Sequence, residues 1–165
     1  MSLEKFHKII SKISQMDRAY RMMALKVIFF SALAKITLAT TPFRRIAQKL
    51  GTTNVETPDS ECKENEQKLL EIRYLIEAVS RYLPWKNTCF NKALCAHWVL
   101  KRLKINHTIY FGVHRDDSNK LLAHAWLRSG NQIITGYDSH NQFVVINSYG
   151  YFITDTHQVL EGSFS

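Results

Sequence analysis

The amino-acid sequence predicts an α+β fold, in which helices come first and an antiparallel sheet follows. Up to about residue 102, apolar residues recur every three or four positions, which is typical of helices. After residue 104 the pattern changes to short β-branched and aromatic runs separated by turn sequences. Helices that are segregated from strands along the chain indicate the α+β class. The 165 residues are 45% hydrophobic and 22% charged, as expected for a globular domain with a real core.

The helical half divides at residues that start or stop helices. Asp17 and Thr88 are suited to N-caps, Pro42 and Pro84 interrupt helical patterns, and Gly51 favours a helix end. The helix that follows Thr88 is apolar around most of its circumference, so we expect it to be central. The predicted helices are 3–15, 17–39, 43–50, 66–83 and 89–102.

The strand half reads as an antiparallel meander. The Ser129-Gly130-Asn131 sequence is typical of a hairpin turn, and it would place residue 124 roughly opposite residue 136. Residues 116–119 form a second turn. The predicted strands are 109–113, 121–127, 132–135 and 143–147, with a fifth at 151–154.

Positive charge is confined to the first third of the chain. The sequence has 22 Lys and Arg against 14 Asp and Glu, and residues 1–50 hold ten of the basic residues and two of the acidic ones. We therefore divide the chain into a basic helical arm (1–50), a polar linker or loop (51–66) and a charge-balanced core (67–165). A core without net charge argues against nucleic-acid binding.

Other bulk features predict a cytoplasmic protein without a metal or cofactor. The N-terminus lacks the apolar segment and cleavage site of a secretory signal. Met22–Ala39 is apolar, but Lys26 and Lys35 lie inside it and make membrane insertion costly. The three cysteines are an odd number, and they include no Cys-x-x-Cys pair, so we expect neither a disulfide framework nor a zinc site.

One set of residues is suited to nucleophilic catalysis: a cysteine at a helix start, a histidine in a strand and a carboxylate after the next strand. A helix N-terminus stabilises a thiolate, and its free N–H groups can bind an oxyanion. This makes Cys89 the candidate nucleophile, His124 the base and then acid, and Asp138 the group that orients the histidine. Asn141 is an alternative orienting group, because amides take this role in some cysteine peptidases. Cys95, in mid-helix, is expected to be an inert core residue.

Three further residues are candidates for the active site, although each also has a simpler structural explanation. Trp85 and Asn87 precede the nucleophile and could donate to an oxyanion, although a packing or turn role is the favoured explanation. Trp126 shares a strand face with His124, where it could form a wall of the site or belong to the core.

Three segments together resemble one family, the lasso-peptide B proteins in their stand-alone leader-peptidase form. They are LPWKNTCFNKALCAHWVLKRLKI (83–105), IYFGV (109–113) and AHAWLRSGNQIITG (123–136). The basic segment ending in TPFRRIAQKLG is similar to the front part of that family. The family belongs to the transglutaminase-like, papain-like cysteine peptidases. The resemblance implies a core in which a central Cys-bearing helix packs on the sheet, with Cys89 and His124 at the family's catalytic positions. The family's acid falls where this chain has Gly136, and Asp138 is the nearest carboxylate.

The resemblance also implies a function and partners. The protein would remove the leader from a ribosomally made lasso-peptide precursor before a separate cyclase closes the macrolactam ring. Because the chain has no room for a leader-binding domain, a separate leader-recognition protein would deliver the substrate. The alternatives are a transglutaminase-like acyltransferase and a non-catalytic scaffold. The basic arm would contact partner proteins, contact an anionic membrane peripherally, or have no special role.

Overall fold

The computed structural model describes residues 17–60 and 63–153, and in these ranges it confirms the α+β class. The helices are α1 (Arg18–Thr40), α2 (Phe43–Ala47), α3 (Lys63–Tyr82) and α4 (Cys89–Arg102). The helix predicted at 3–15 lies outside the described residues.

Both predicted N-caps are confirmed by side-chain hydrogen bonds. Asp17 accepts from the backbone N–H of Ala19 at 3.1 Å, and Thr88 accepts from the N–H of Asn91 at 3.2 Å. Each bond satisfies one of the N–H groups that a helix start leaves without an intrahelical partner. The starts of α1 and α4, and therefore the position of Cys89 on its helix, are fixed by local sequence.

The sheet is not a simple meander. Its strands are β1 (Thr52–Thr53), β2 (His107–Arg115), β3 (Leu121–Ser129), β4 (Gln132–Thr135) and β5 (Val144–Tyr151). They are antiparallel in the order β1-β5-β2-β3-β4, so only β2, β3 and β4 follow one another.

The chain reaches the far side of β2 because the segment after β4 crosses one face of the sheet. Phe143 lies so close over Gly112 that a Cβ on this glycine would meet the Cβ of Phe143 at 2.9 Å. β5 then continues to Tyr151, so the first residue of the strand predicted at 151–154 belongs to β5.

The described residues 51–60 of the polar segment contact the sheet. They contain the short strand β1, which was not predicted, and α3 begins three residues earlier than expected. Thr57 is buried, and its N–H donates to the hydroxyl of Thr108 at 2.9 Å. Arg128 reaches the same segment and pairs with Glu56 and Asp59. These contacts hold the segment against the sheet.

The two faces of the sheet have different roles. Ala125 and Leu127 join the main hydrophobic core with residues of α4. Side chains alternate along a strand, so His124, Trp126 and Arg128 lie on the other face. There Trp126 stacks on Tyr110 with ring centroids 5.4 Å apart. This second face is covered by loops instead of helices.

Candidate active site

Cys89 is the first residue of α4 and is half-buried. The first N–H groups of a helix have no intrahelical acceptor, and the helix dipole gives this end a partial positive charge. The neighbouring Phe90 packs on Phe111 of β2, with ring centroids 5.1 Å apart. Phe111 is in register with Ala125, the residue after His124. The first turn of α4 therefore lies at the level of His124 along the strands.

His124 is half-buried and held by three neighbours. Its Nε2 donates to the carbonyl oxygen of Gly136 at 3.1 Å. Its ring stacks on Trp126, with centroids 5.8 Å apart, and lies 4.9 Å from the ring of Phe143. A neutral imidazole that donates through Nε2 keeps a free lone pair at Nδ1. The bond to Gly136 thus selects the tautomer in which Nδ1 is the base.

Gly136 is required by the geometry of this contact. Its φ is +76°, a conformation that residues with a side chain rarely adopt. A Cβ at this position would lie 2.7 Å from Nε2 of His124 and 2.7 Å from Cβ of Trp126. The backbone carbonyl of Gly136 therefore holds the His124 ring in place.

The predicted register between β3 and β4 is wrong by two residues. Leu127 pairs with Thr135. The same register would place Trp126 opposite Gly136, whereas the predicted register placed residue 124 there. A β-bulge between Leu127 and Arg128 causes part of this shift, because it adds a residue to one strand. His124 still reaches the Gly136 carbonyl, because the pairing ends at Thr135 and the chain turns there.

Asp138 and Asn141 both lie on the loop after Gly136 and are exposed. Asn141 is the middle residue of a short 3₁₀ helix, His140–Gln142. The Nε2 atom of His124 bonds instead to the carbonyl oxygen of Gly136. Their roles as orienting groups stay predictions.

Cys89 and His124 are not joined directly. Among the described residues, no hydrogen bond within 4 Å connects the Cys89 sulfur to the His124 ring. The ring lies on the sheet face that carries Trp126, whereas α4 packs on the face that carries Ala125. Catalytic hydrogen bonds are often long in unliganded enzymes and tighten only when substrate binds. Formation of a Cys–His pair here requires movement of the ring or of the first turn of α4.

The structure favours the turn role for Trp85 and Asn87. The indole N–H of Trp85 donates to the Asn87 side chain at 3.2 Å, and the Asn87 amide donates to Ser80 of α3 at 3.0 Å. These bonds anchor the segment between α3 and α4, just before Cys89. Trp126 is 4% exposed and lies between Tyr110 and His124, so it packs the second sheet face and also forms one wall beside the histidine.

Sequence reasoning missed two residues near the site. Phe143 contacts His124 from a loop, and no local sequence pattern predicts that contact. Asn91, two residues after Cys89, is 1% exposed, and both polar atoms of its amide lack a hydrogen-bond partner. The sequence signal for Asn91 was an uncharged amide in the first turn of a mainly apolar helix. No group of three or more metal-ligating side chains occurs within 17–60 and 63–153.

Comparison with known proteins gives the family. The profile of the transglutaminase-like superfamily matches residues 36–148, which include α2, α3, α4 and almost the whole sheet. No curated protein and no solved structure gives a significant match. Because the match covers more than half of the chain and includes both Cys89 and His124, this protein belongs to the transglutaminase-like superfamily.

Proposed function

We propose that the protein is a cytoplasmic cysteine peptidase that removes the leader from a lasso-peptide precursor. Superfamily membership supports cysteine hydrolase or acyltransferase chemistry. The observation that carries the proposal is the hydrogen bond from His124 to Gly136, which leaves Nδ1 available as a base. Cys89 at the N-terminus of α4 supplies the thiol. The likeness of segments 83–105 and 123–136 to the leader peptidases points to the substrate.

The reaction would proceed through a thioester. Once a rearrangement has brought the His124 ring to the Cys89 sulfur, Nδ1 takes the proton of the thiol, and the thiolate attacks the scissile carbonyl carbon. N–H groups of the first turn of α4 bind the resulting oxyanion. The C–N bond then breaks as His124 protonates the leaving amine. A water molecule, deprotonated by His124, hydrolyses the thioester, which releases the leader carboxylate and restores the thiol.

The proposal includes three partners. The precursor peptide is the substrate, a leader-recognition protein delivers it, and a cyclase uses the product. Asp138, or alternatively Asn141, would orient His124 from the loop that follows Gly136. The chemistry needs no metal or cofactor.

Mass spectrometry of a purified precursor, incubated with the recognition protein and this enzyme, tests the proposal. We expect cleavage at one peptide bond and its loss in Cys89→Ala and His124→Ala. Cys62→Ala is the matched control and should cleave normally. Circular dichroism confirms that each variant is folded. Normal cleavage by folded Cys89→Ala would refute the mechanism.

The same measurement distinguishes the acyltransferase alternative, which the superfamily also allows. In that reaction an amine, instead of water, attacks the thioester, so the product gains the mass of the amine. A product of this kind from an added amine, with no hydrolysis in its absence, would replace the peptidase assignment.

A further inference from the structure

Helix α1 has an unusual distribution of residue sizes. Its buried residues are small or medium: Ala24, Val27, Ser31 and Ala34. Five of its large apolar residues are exposed instead, whereas others, such as Ile28 and Phe30, pack partly against the core. We call these five residues the apolar stripe: Met22 (51% exposed), Leu25 (49%), Phe29 (61%), Leu33 (36%) and Ile36 (59%).

The apolar stripe forms one continuous face. Its members are three or four residues apart, so they lie along one side of the helix, opposite the buried small residues. From Met22 to Ile36 the stripe is about 21 Å long at 1.5 Å per residue. Its first half borders a shallow groove of about 480 Å³ that also includes Phe30 and Arg102. A soluble helix normally buries its large apolar residues, so this face requires a partner.

The charges beside the apolar stripe identify the kind of partner. Helix α1 contains Arg18, Arg21, Lys26 and Lys35 and no acidic residue. Lys26 is exposed and lines the same groove as Phe29 and Arg102. An apolar face bordered by cations is typical of helices that lie in the interface of an anionic bilayer.

We propose that the apolar stripe docks α1 on the surface of an anionic lipid bilayer. The helix lies parallel to the membrane plane, with Phe29 and Ile36 in the acyl boundary and Lys26, which borders the stripe, near lipid phosphates. The helix is long and apolar enough to cross a membrane. It does not cross, because its opposite face packs on α4 through Val27 and Ser31, which contact Cys95.

Charge argues against the other occupants of this face. A second copy of the chain would bring the basic residues of two α1 helices together, which costs electrostatic energy. Residues 1–16 carry Lys5, Lys8 and Lys12 against one acidic residue, Glu4, so their charge also opposes contact with α1. An anionic surface instead attracts both segments at once.

Vesicle flotation of the full chain tests the proposal. We expect binding to vesicles with about one third phosphatidylglycerol, and at least tenfold weaker binding to pure phosphatidylcholine vesicles. Phe29→Ser with Ile36→Ser should reduce binding at least tenfold, and so should Lys26→Glu with Lys35→Glu. Val144→Ser is the matched control, since Val144 is 71% exposed on the sheet and lies outside the stripe; it should bind normally.

Several results would overturn the proposal. These are no binding to either vesicle, equal binding to both, or binding that the stripe variants leave unchanged. Light scattering that shows a dimer, lost in the Phe29→Ser variant, together with no lipid binding, would assign the stripe to a second copy. Capture by the leader-recognition protein without lipid binding would assign it to a protein partner. Precursor cleavage in vesicle-free solution should be normal in the stripe variants, so failure of this proposal leaves the proposed function intact.

Discussion

His97 and His107 face each other inside the core, with Nδ1 of His97 2.8 Å from Nε2 of His107. His107 donates through Nδ1 to the carbonyl of Ile105 at 2.7 Å, so as a neutral ring it accepts at Nε2 and His97 donates. Tyr151 stacks on His107. Burial is the main cause that lowers the pKa of His97 to about 3 and that of His107 to about 4.

This pair predicts that stability falls in mild acid. Unfolded histidines titrate near pH 6.5, well above the folded pKa values of about 3 and about 4. The unfolded state therefore binds more protons in this window, and the stability is complete above about pH 6.5 and decreases as the pH falls toward 4. We expect a loss on the order of 1 kcal/mol per pH unit for each histidine. Urea unfolding at several pH values measures it.

The double variant His97→Leu, His107→Leu should show a weaker pH dependence than the parent protein, whatever its stability at neutral pH. His114→Gln is the control, because it removes a histidine of β2 that lies outside the pair. Unchanged pH dependence in the double variant would contradict the assignment.

Gly136→Ala should impair both cleavage and stability. The new Cβ would lie 2.7 Å from Nε2 of His124, at a φ of +76°. We expect a loss of at least tenfold in kcat/KM and a destabilisation of about 1–2 kcal/mol. Gly130→Ala is the control, since Gly130 also has positive φ (+54°) but does not contact the histidine. If both variants lose the same activity, the carbonyl of Gly136 does not position His124.

The two described cysteines should differ in reactivity. Cys89 is half-buried at a helix start, whereas Cys95 is 0% exposed and burial raises its pKa to about 12. In a Cys62→Ala background, we expect iodoacetamide to modify Cys89 in the native protein and Cys95 only after unfolding. Peptide mass mapping over time checks the order. Faster modification of Cys95 would exclude Cys89 as the accessible thiol.

Arg128 is the most connected side chain on the second sheet face. Its guanidinium donates to the Tyr110 hydroxyl and the Thr57 carbonyl, both at 2.9 Å, and to the Gly130 carbonyl at 2.7 Å. Lysine cannot reproduce these diverging bonds. Arg128→Lys should therefore destabilise the protein by roughly 1–3 kcal/mol, measured by urea unfolding. Arg115→Lys, on an exposed strand end, should change stability little; equal losses would contradict this role.

Features set by neighbouring residues were predictable, and features set by distant ones were not. The caps at Asp17 and Thr88 depend on residues two or three positions away, and both were confirmed. The place of β5 beside β2 depends on how the loop through Phe143 crosses the sheet, which no local pattern encodes.

The candidate site shows the same division. Spacing and residue type selected Cys89 and His124, and the superfamily match includes both. The bond from His124 to the backbone of Gly136 was not predictable from the sequence. Every residue has a backbone carbonyl group, so residue type does not single one out, and the position of this one depends on the bulge in the β3–β4 hairpin.

The pairing of Thr52 with Gly150 joins the first and the last strand along the described sequence. During synthesis, the helices leave the ribosome first and contain mostly local contacts, which form quickly. Within the described residues, β2 gains its second neighbour, and β1 its pairing partner, only when β5 has been synthesised. The edge of the sheet that β1 and β5 form is therefore expected to be the last part of the described fold to be completed.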